Sequence, residues 1–189
     1  RIFCSPTYNH IGKYMTRLTG QERATYVQTM FTRIAGRYNL MNRLMTGGQD
    51  VRWRKRVIEL AQLDNNSFLL DIGTGTGDLA RVALTKFPQA KVIAADFTLE
   101  MMRIGQRNGA LSFSSADALR LPFQDSTFDA VVSGFLMRNV IDLQRAIQEQ
   151  YRVLRKGGRI VILDTTRPKK NILSPLIWLH MHFVIPTLG

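Results

Sequence analysis

Cysteine and histidine are scarce in this sequence of 189 residues. The single cysteine, Cys4, cannot form a disulfide within one chain, which indicates a reducing compartment. None of the three histidines lies beside carboxylates at the spacing of metal ligands, and we therefore predict that the protein binds no metal. These two absences argue against a disulfide-stapled secreted domain and against a metalloenzyme.

The sequence also lacks an apolar run long enough to cross a bilayer. In its most apolar stretch, from Ile172 to Leu188, Pro175 and Pro186 leave ten uninterrupted positions, two of them histidine. A spanning helix needs roughly 20 apolar residues. We predict instead that residues 171–189 begin a lid over an apolar ligand, or a helix in the membrane interface. Because the chain starts without methionine and stops directly after this stretch, we expect a fragment with a truncated C-terminal lid.

Positive charge is plentiful and unevenly distributed. The net charge is +12, of which residues 1–60 carry +8. A basic amino-terminal part favours an anionic partner, either nucleic acid or a membrane surface, although a solvated basic face gives the same pattern.

Apolar spacing divides the chain into three parts. Residues 1–20 show no period and are predicted to be disordered. Spacings of three and four over residues 21–45 predict one or two amphipathic helices. Another helix is predicted over 50–62, with Trp53, Val57, Leu60 and Ala61 facing inward. Together, residues 21–62 are expected to form a helical cap.

From residue 63 to 170, strands and helices alternate. The predicted strands are 67–72, 91–95, 111–115, 128–134 and 158–164, and the predicted helices are 76–86, 98–108 and 142–154, the last ended by Lys156-Gly157-Gly158. This alternation is typical of an α/β, Rossmann-like doubly wound sheet.

The stretch from Leu69 to Ala80 carries the clearest binding signal. Asp71 ends an apolar strand, three glycines follow at alternate positions, and Thr76 and Asp78 begin the next helix; the glycines are Gly73, Gly75 and Gly77. Such a turn lets a ligand approach bare backbone at a helix N-terminus. An acidic residue ahead of it suits a cationic ligand, such as the sulfonium and amino-acid part of S-adenosyl-L-methionine.

Further candidate cofactor residues follow the next two strands. Asp96 ends the second strand, where a carboxylate can accept both ribose hydroxyls of an adenosine. Phe97 and Met101 are expected to flank the adenine. Asp117 and Ala118 follow the third strand, where the carboxylate can accept the adenine amino group or, alternatively, cap a turn.

The end of the fourth strand reads Ser-Gly-Phe-Leu-Met-Arg-Asn over residues 133–139. Methyltransferases that modify amino groups of nucleic-acid bases usually carry an Asx-Pro-Pro-aromatic motif here. Its absence argues against base methylation, and we expect no nucleic-acid partner.

Two segments make the chain similar to the ubiquinone/menaquinone biosynthesis C-methyltransferase family. Residues 38–53 resemble the family's Tyr-Asp-x-Met-Asn segment ending in Trp, and residues 152–164 resemble its second signature. Leu121-Pro122-Phe123 with Phe128-Asp129, and Phe135-x-x-Arg138-Asn139, also fit, so the similarity covers residues 22–189.

The resemblance implies an enzyme that uses S-adenosyl-L-methionine to methylate a ring carbon of a polyprenylated quinol, releasing S-adenosyl-L-homocysteine. It implies that Tyr38, Arg138 and Asn139 meet the quinol, with Arg138 stabilising the developing phenolate, and that Gly134 lies at the cofactor. The departures of the chain from the family include Asp50 for the frequent His, Asp164 for Glu, Leu136 for Gly, and Gly134 for Ser. The ring, naphthoquinol or benzoquinol, therefore stays open.

This leading hypothesis places a cytoplasmic enzyme peripherally on the inner face of an anionic membrane, with a homodimer as a further expectation. An O- or N-methyltransferase for another small apolar molecule, and a basic nucleic-acid-binding protein, are the alternatives.

Overall fold

The structure, a computed structural model, describes residues 19–164. The predicted apolar lid at 171–189 and nearly all of the segment predicted to be disordered lie outside the described residues, as do His180 and His182. The described helices are α1 Gly20–Ile34, α2 Tyr38–Met45, α3 Gln49–Ala61, α4 Asp78–Lys86, α5 Leu99–Arg107 and α6 Leu143–Val153, with a 3₁₀ turn at Ala35–Arg37. The strands are β1 Phe68–Ile72, β2 Lys91–Asp96, β3 Ser112–Ser115, β4 Phe128–Gly134 and β5 Leu154–Leu163.

The five strands form one sheet in the order β3-β2-β1-β4-β5, and every neighbouring pair is parallel. The chain leaves β1 toward β2 on one side and returns to β4 on the other. In such sheets, ligands bind beyond the carboxyl ends of the strands where the order reverses. The predicted doubly wound sheet is confirmed, and its switch point lies at the end of β1.

Two apolar clusters cover the two faces of the sheet. Leu69 contributes to the cluster under α3 and α4, and its neighbour Leu70 contributes to the opposite cluster, which includes Val153 of α6. Successive strand residues point to opposite faces. Because both faces are covered, β1 reads as a continuous apolar run rather than an alternating one.

The inner face of α3 agrees with the prediction at Val57 and Ala61, which are buried, and differs from it at two other positions. Trp53 and Leu60 were expected to face inward, but they are 37% and 46% exposed. The buried polar positions are Asp50 and Arg54, which form an ion pair with 2.7 Å between Asp50 Oδ2 and an Arg54 guanidinium nitrogen. This pair replaces part of the apolar face, and the helix turns its tryptophan toward the surface.

The junction of α6 and β5 also differs. The Lys-Gly-Gly sequence at 156–158 does not end the helix, because α6 ends at Val153 and β5 begins at Leu154. A Cβ atom on Gly158 would lie 2.7 Å from the carbonyl oxygen of Asp129. This glycine therefore allows β5 to approach β4 closely at the register shift between Phe128 and Ala130.

Among residues 19–164, no helix combines the length and the apolar character needed to cross a bilayer.

Candidate active site

The glycine turn between β1 and α4 presents bare backbone to a cavity. Gly73 and Gly75 adopt left-handed φ angles of 64° and 58°, which L side chains rarely adopt, and both line the cavity. A Cβ atom on Gly73 would lie 2.8 Å from Leu136 Cδ1, and one on Gly75 would lie 3.1 Å from Met101 Cε. The two predicted glycines are thus required by conformation and by close approach.

Gly77 shares the left-handed conformation, with a φ of 87°, but its surroundings differ from those of Gly73 and Gly75. Its added Cβ would lie 2.5 Å from Leu111 Cδ1, and Gly77 does not line the cavity. Gly105 of α5, which the sequence pattern did not single out, is similar: its added Cβ would lie 2.8 Å from the carbonyl oxygen of Thr76. Arg81 fastens this contact by donating hydrogen bonds of 2.5 Å to the carbonyl oxygens of Thr76 and Gly105.

Asp96 holds the glycine turn in place from the end of β2. Its Oδ2 accepts a 2.7 Å hydrogen bond from the amide of Gly75, and its Oδ1 accepts one of 2.7 Å from the amide of Thr98. Burial raises the pKa of Asp96, while these amide donors act in the opposite direction. Each carboxylate oxygen has two lone pairs, so Asp96 keeps acceptor capacity toward the cavity that it lines.

Asp71 is fully buried, and one of its oxygens has no partner. Its Oδ2 accepts hydrogen bonds from the Thr74 hydroxyl at 2.5 Å and from the Ala80 amide at 3.2 Å. Oδ1 has no hydrogen-bond partner among residues 19–164. Burial raises the pKa of Asp71 to about 7, and the charges of Asp96 and Asp78 add to this shift. A cationic hydrogen-bond donor would satisfy the orphaned oxygen and stabilise the ionised form.

The cavity has a volume of about 220 Å³ and lies at the carboxyl ends of β1, β2 and β4, under one face of α1. Ten of the residues proposed from the sequence line it: Tyr38, Gly73, Gly75, Asp96, Phe97, Met101, Asp117, Ala118, Gly134 and Asn139. Asp117 also caps its own turn, since its Oδ1 accepts from the Leu119 amide. The sequence did not predict a group of apolar residues in the wall: Ala24, Val27, Phe31, Ile72, Leu136, Val140 and Ile141.

Thr76 and Asp78 lie outside this cavity. With Asp71 and Arg54 they line a small neighbouring pocket of about 20 Å³. The Thr76 hydroxyl donates to Asn39 Oδ1 at 2.9 Å, and Asp78 accepts from Asn39 Nδ2 at 3.3 Å. The structure therefore connects these two residues to the cap. Asn39 and Arg54 were not predicted as site residues, although Asn39 lies within the family-like segment 38–53 and Arg54 directly follows it.

The three residues predicted to meet the substrate are placed differently from one another. Tyr38 packs edge to face on Phe31, with 5.8 Å between ring centres, and its hydroxyl has a pKa raised by burial against the opposing effect of Asn42. Asn139 donates a 3.0 Å hydrogen bond from Nδ2 to the carbonyl oxygen of Phe135. Both side chains lie in the cavity wall.

Arg138 lies beside the wall rather than in it. Its side chain is 48% exposed and forms a 3.7 Å ion pair with Asp164, whose carboxylate also accepts from the Arg138 amide. The guanidinium carbon lies 5.3 Å from the ring centre of Phe135, which does line the cavity. Arg138 therefore forms an ion pair next to the cavity, whereas Tyr38 and Asn139 lie in the cavity wall.

Within residues 19–164, no group of three or more His, Cys, Asp or Glu side chains is placed to hold a metal ion.

Comparison with known proteins assigns the family. The sequence model of the ubiE/COQ5 methyltransferase family matches residues 18–189. The chain belongs to the ubiE/COQ5 methyltransferase family. The predicted family and fold class are confirmed, as is the enzyme class, an S-adenosyl-L-methionine-dependent C-methyltransferase.

Individual relatives agree with this assignment. The chain is 45% identical over 166 residues to the ubiquinone/menaquinone biosynthesis C-methyltransferase UbiE of Desulfotalea psychrophila, covering 86% of this chain and 68% of the relative. It is 42% identical over 165 residues to the demethylmenaquinone methyltransferase of Thermus thermophilus, covering 85% of this chain and 75% of the relative.

Solved structures share the fold. A proposed S-adenosyl-L-methionine-dependent methyltransferase of Methanococcus maripaludis superposes with a TM-score of 0.65 at 23% identity, covering 83% of this chain and 73% of that one. The YcgJ protein of Bacillus subtilis gives a TM-score of 0.55 at 27% identity, covering 66% of this chain, which spans 53% of YcgJ.

Proposed function

We propose that this protein transfers a methyl group from S-adenosyl-L-methionine to a ring carbon of a polyprenylated quinol, either demethylmenaquinol or the equivalent ubiquinone precursor. The observation that carries the proposal is a largely apolar cavity bordered by an adenosine-type carboxylate, Asp96, and by the bare glycine turn. The names of the two relatives above support the reaction and the quinone class of substrate.

The residues around the turn fit the cofactor. S-adenosyl-L-methionine supplies an electrophilic methyl group on a positively charged sulfur and requires no metal. The orphaned Oδ1 of Asp71 suits its cationic amino-acid part, Asp96 suits its ribose, and the exposed side chain of Phe97 suits its adenine. Side chains at Gly73 or Gly75 would meet Leu136 or Met101, so the glycines keep this surface clear.

The remaining wall suits a quinol ring. Apolar side chains from α1 and from the segment after β4 exclude water, which strengthens polar interactions inside the cavity. Burial keeps the Tyr38 hydroxyl protonated near neutral pH, so it can donate a hydrogen bond to a developing phenolate. A guanidinium has a pKa above about 12 and is a poor proton acceptor, so we assign Arg138 to phenolate stabilisation rather than to proton removal.

The test of the function is methyl transfer to both kinds of ring. The protein is incubated with methyl-labelled S-adenosyl-L-methionine and either a demethylmenaquinol or a benzoquinol precursor, and products are characterised by mass and by NMR. We expect the label on a ring carbon, with S-adenosyl-L-homocysteine formed in equal amount. Label on oxygen or nitrogen, or no transfer to either quinol, would contradict the proposal.

The role of Arg138 has its own test. We expect Arg138→Ala to lower methyl transfer by about a hundredfold, the scale of losing one oxyanion donor, while S-adenosyl-L-homocysteine affinity stays within about twofold. Arg155→Ala is the matched control, because Arg155 forms a similarly exposed ion pair with Asp129 at the opposite end of β4 and β5. An equal loss of cofactor affinity in Arg138→Ala would assign this residue to structure or cofactor binding.

We also propose that the enzyme works peripherally on the inner, cytoplasmic face of an anionic membrane. Its substrate is insoluble in water, and the cap exposes arginines together with Leu40 and Trp53. Co-sedimentation with anionic liposomes but not with neutral ones is the expected result. Equal sedimentation with both, or with neither, would contradict this placement. The homodimer stays a prediction, to be measured by light scattering.

A further inference from the structure

One cap side chain contacts both polar residues at the start of α4. Asn39, the second residue of α2, accepts through Oδ1 from the Thr76 hydroxyl at 2.9 Å and donates through Nδ2 to Asp78 Oδ1 at 3.3 Å. Thr76 is almost fully buried in the glycine turn. The residue before it, Gly75, donates its amide hydrogen bond to Asp96. Asn39 therefore connects the cap directly to the turn that borders the cavity.

A buried cation supports the same contact from α3. One terminal guanidinium nitrogen of Arg54 lies 2.7 Å from Asp50 Oδ2 and 3.1 Å from Asp78 Oδ2. Arg54 and Asp50 are both buried. Two carboxylates thus share one cation, and the cluster carries a net charge of about −1 without any contribution from position 39. An additional negative charge there would be unfavourable in this poorly solvated place.

An amide at position 39 suits both of its neighbours in this chain. It offers an acceptor and a donor from one planar group, whereas the ionised Asp that the family's Tyr-Asp-x-Met-Asn segment has at this position can only accept. The family often has His at position 50, where this chain has Asp50, so an Asp at position 39 would face a more negative cluster here. With Asp at position 39, the Thr76 hydroxyl would keep its acceptor, but Asp78 would face a second carboxylate in place of a donor.

The residue before Asn39 lies in the cavity wall. Tyr38 contacts both the large cavity and the small pocket, and its ring lies 3.8 Å from where a Cβ atom of Gly75 would be. We propose that Asn39 is a positioning residue: its amide docks the cap on the start of α4 and thereby fixes both the glycine turn and the neighbouring Tyr38. The inference rests on the proposed function only in taking this cavity as the reaction site.

The first test measures how the binding of S-adenosyl-L-homocysteine, the product formed from the cofactor, depends on pH. The dissociation constant of S-adenosyl-L-homocysteine is measured for Asn39→Asp, Asn39→Ala and the unmodified protein at pH 5 and pH 8. At pH 8 we expect Asn39→Asp to bind about tenfold more weakly, the scale of one charge-assisted hydrogen bond. At pH 5 a proton shared with Asp78 restores the donor, and the ratio to the unmodified protein should fall below about threefold. Asn39→Ala should show the same ratio at both pH values.

Ratios to the unmodified protein at each pH remove the part of the titration that the two proteins share. Asp78 contacts Asn39 directly, and the other titratable or charged groups around this contact, in the small pocket or in the ion-pair cluster, are Tyr38, Asp50, Arg54 and Asp71. Gln148→Glu serves as the control, because it makes the same amide-to-carboxylate change on the exposed side of α6. It should leave the ratio near one at both pH values.

The second test exchanges the two groups. In the double variant Asn39→Asp with Asp78→Asn, the new carboxylate accepts from Thr76 and from the new amide, whose oxygen accepts from Arg54. Urea unfolding should show the double variant more stable than the sum of the two single changes, because every hydrogen bond is restored. This measurement requires no ligand. If Asn39→Asp does not fold at pH 8, cooperative unfolding of the double variant at that pH is the expected rescue, and a double variant that is also unfolded would contradict the inference.

The outcomes separate this inference from the proposed function. If the unmodified protein does not bind S-adenosyl-L-homocysteine, the proposed function fails while the unfolding cycle still decides on Asn39. If it binds, but Asn39→Asp follows Asn39→Ala at both pH values and the exchange gives additive unfolding energies, the positioning role is overturned.

Discussion

The helix α1 and the strand β1 lie on opposite sides of the same cavity and are held in opposite ways. β1 runs through the centre of the sheet, and its residues Leu69, Leu70 and Asp71 are completely buried. No residue of α1 is fully buried, and its N-terminus has no side-chain cap. The side-chain hydrogen bonds that fasten α1 over the cavity include one from Arg23 to the carbonyl oxygen of Arg138 and one from Gln28 to that of Phe97.

This difference fits the two binding tasks of the proposed function. The glycine turn and its carboxylates are held by the buried sheet, so the side proposed to bind the cofactor is organised before any ligand arrives. The α1 side is held by exposed hydrogen bonds, each worth about 1 kcal/mol, and is the part that can adjust when a bulky apolar substrate enters. Local openings of low free energy concentrate in such weakly buried elements.

The largest expected effect comes from the centre of β1. Leu70→Ala removes a fully buried side chain and should lower the free energy of unfolding by about 4 kcal/mol through lost burial and cavity formation. Leu40→Ala in the cap, where the side chain is 60% exposed, should cost less than about 0.5 kcal/mol. Urea denaturation measures both. Similar losses of unfolding free energy in the two variants would show that the sheet and the cap do not differ in this way.

Asp71, buried near the end of β1, should make the free energy of unfolding depend on pH. Its folded pKa of about 7 lies above the ordinary value of 3.8, so the folded protein holds a proton that the unfolded chain has released. Stability without cofactor should therefore fall as the pH rises between these values, by roughly 3 kcal/mol from pH 5 to pH 8. Asp71→Asn should remove that part of the fall and be the more stable protein at pH 8. Asp96 contributes the same trend to both proteins, so parallel pH profiles would contradict the assignment to Asp71.

Two glycines provide a matched pair. An added Cβ at Gly105 meets the carbonyl oxygen of Thr76, whereas one at Gly36 in the 3₁₀ turn has nothing within 4 Å. Gly105→Ala should destabilise the protein by about 2 kcal/mol and weaken S-adenosyl-L-homocysteine binding by displacing the glycine turn. Gly36→Ala should be neutral or slightly stabilising. The comparison fails if the two alanines behave alike in unfolding and in titration.

The smallest expected effect belongs to α1. Gln28→Ala removes the hydrogen bond to Phe97 and should lower global stability by less than about 1 kcal/mol. Hydrogen exchange should nevertheless speed up across α1 alone, because its opening depends on few contacts. Faster exchange spread through β1 as well would show that the cap and the sheet unfold as one unit.

The sheet and the glycine turn could be predicted from the sequence because their signals are local. The bounds 128–134 of β4 were predicted as observed, and Gly73 and Gly75 lie at the cavity as expected. The contacts of α1 could not be predicted, since Arg23 reaches a carbonyl 115 positions away. The buried pair of Asp50 and Arg54 was also hidden, because charged residues on an amphipathic helix ordinarily indicate the solvent side.

Calorimetric titration with S-adenosyl-L-homocysteine tests most directly whether the edge formed by β1 and β2 is an adenosyl site. We expect one saturable site, an affinity reduced at least about tenfold by Asp96→Asn, and little change in Asp129→Asn. Asp129 is the matched control, because it likewise accepts a main-chain hydrogen bond, from Phe68 at the opposite end of the sheet. No binding heat from the folded protein, or equal affinities in the two variants, would contradict the account.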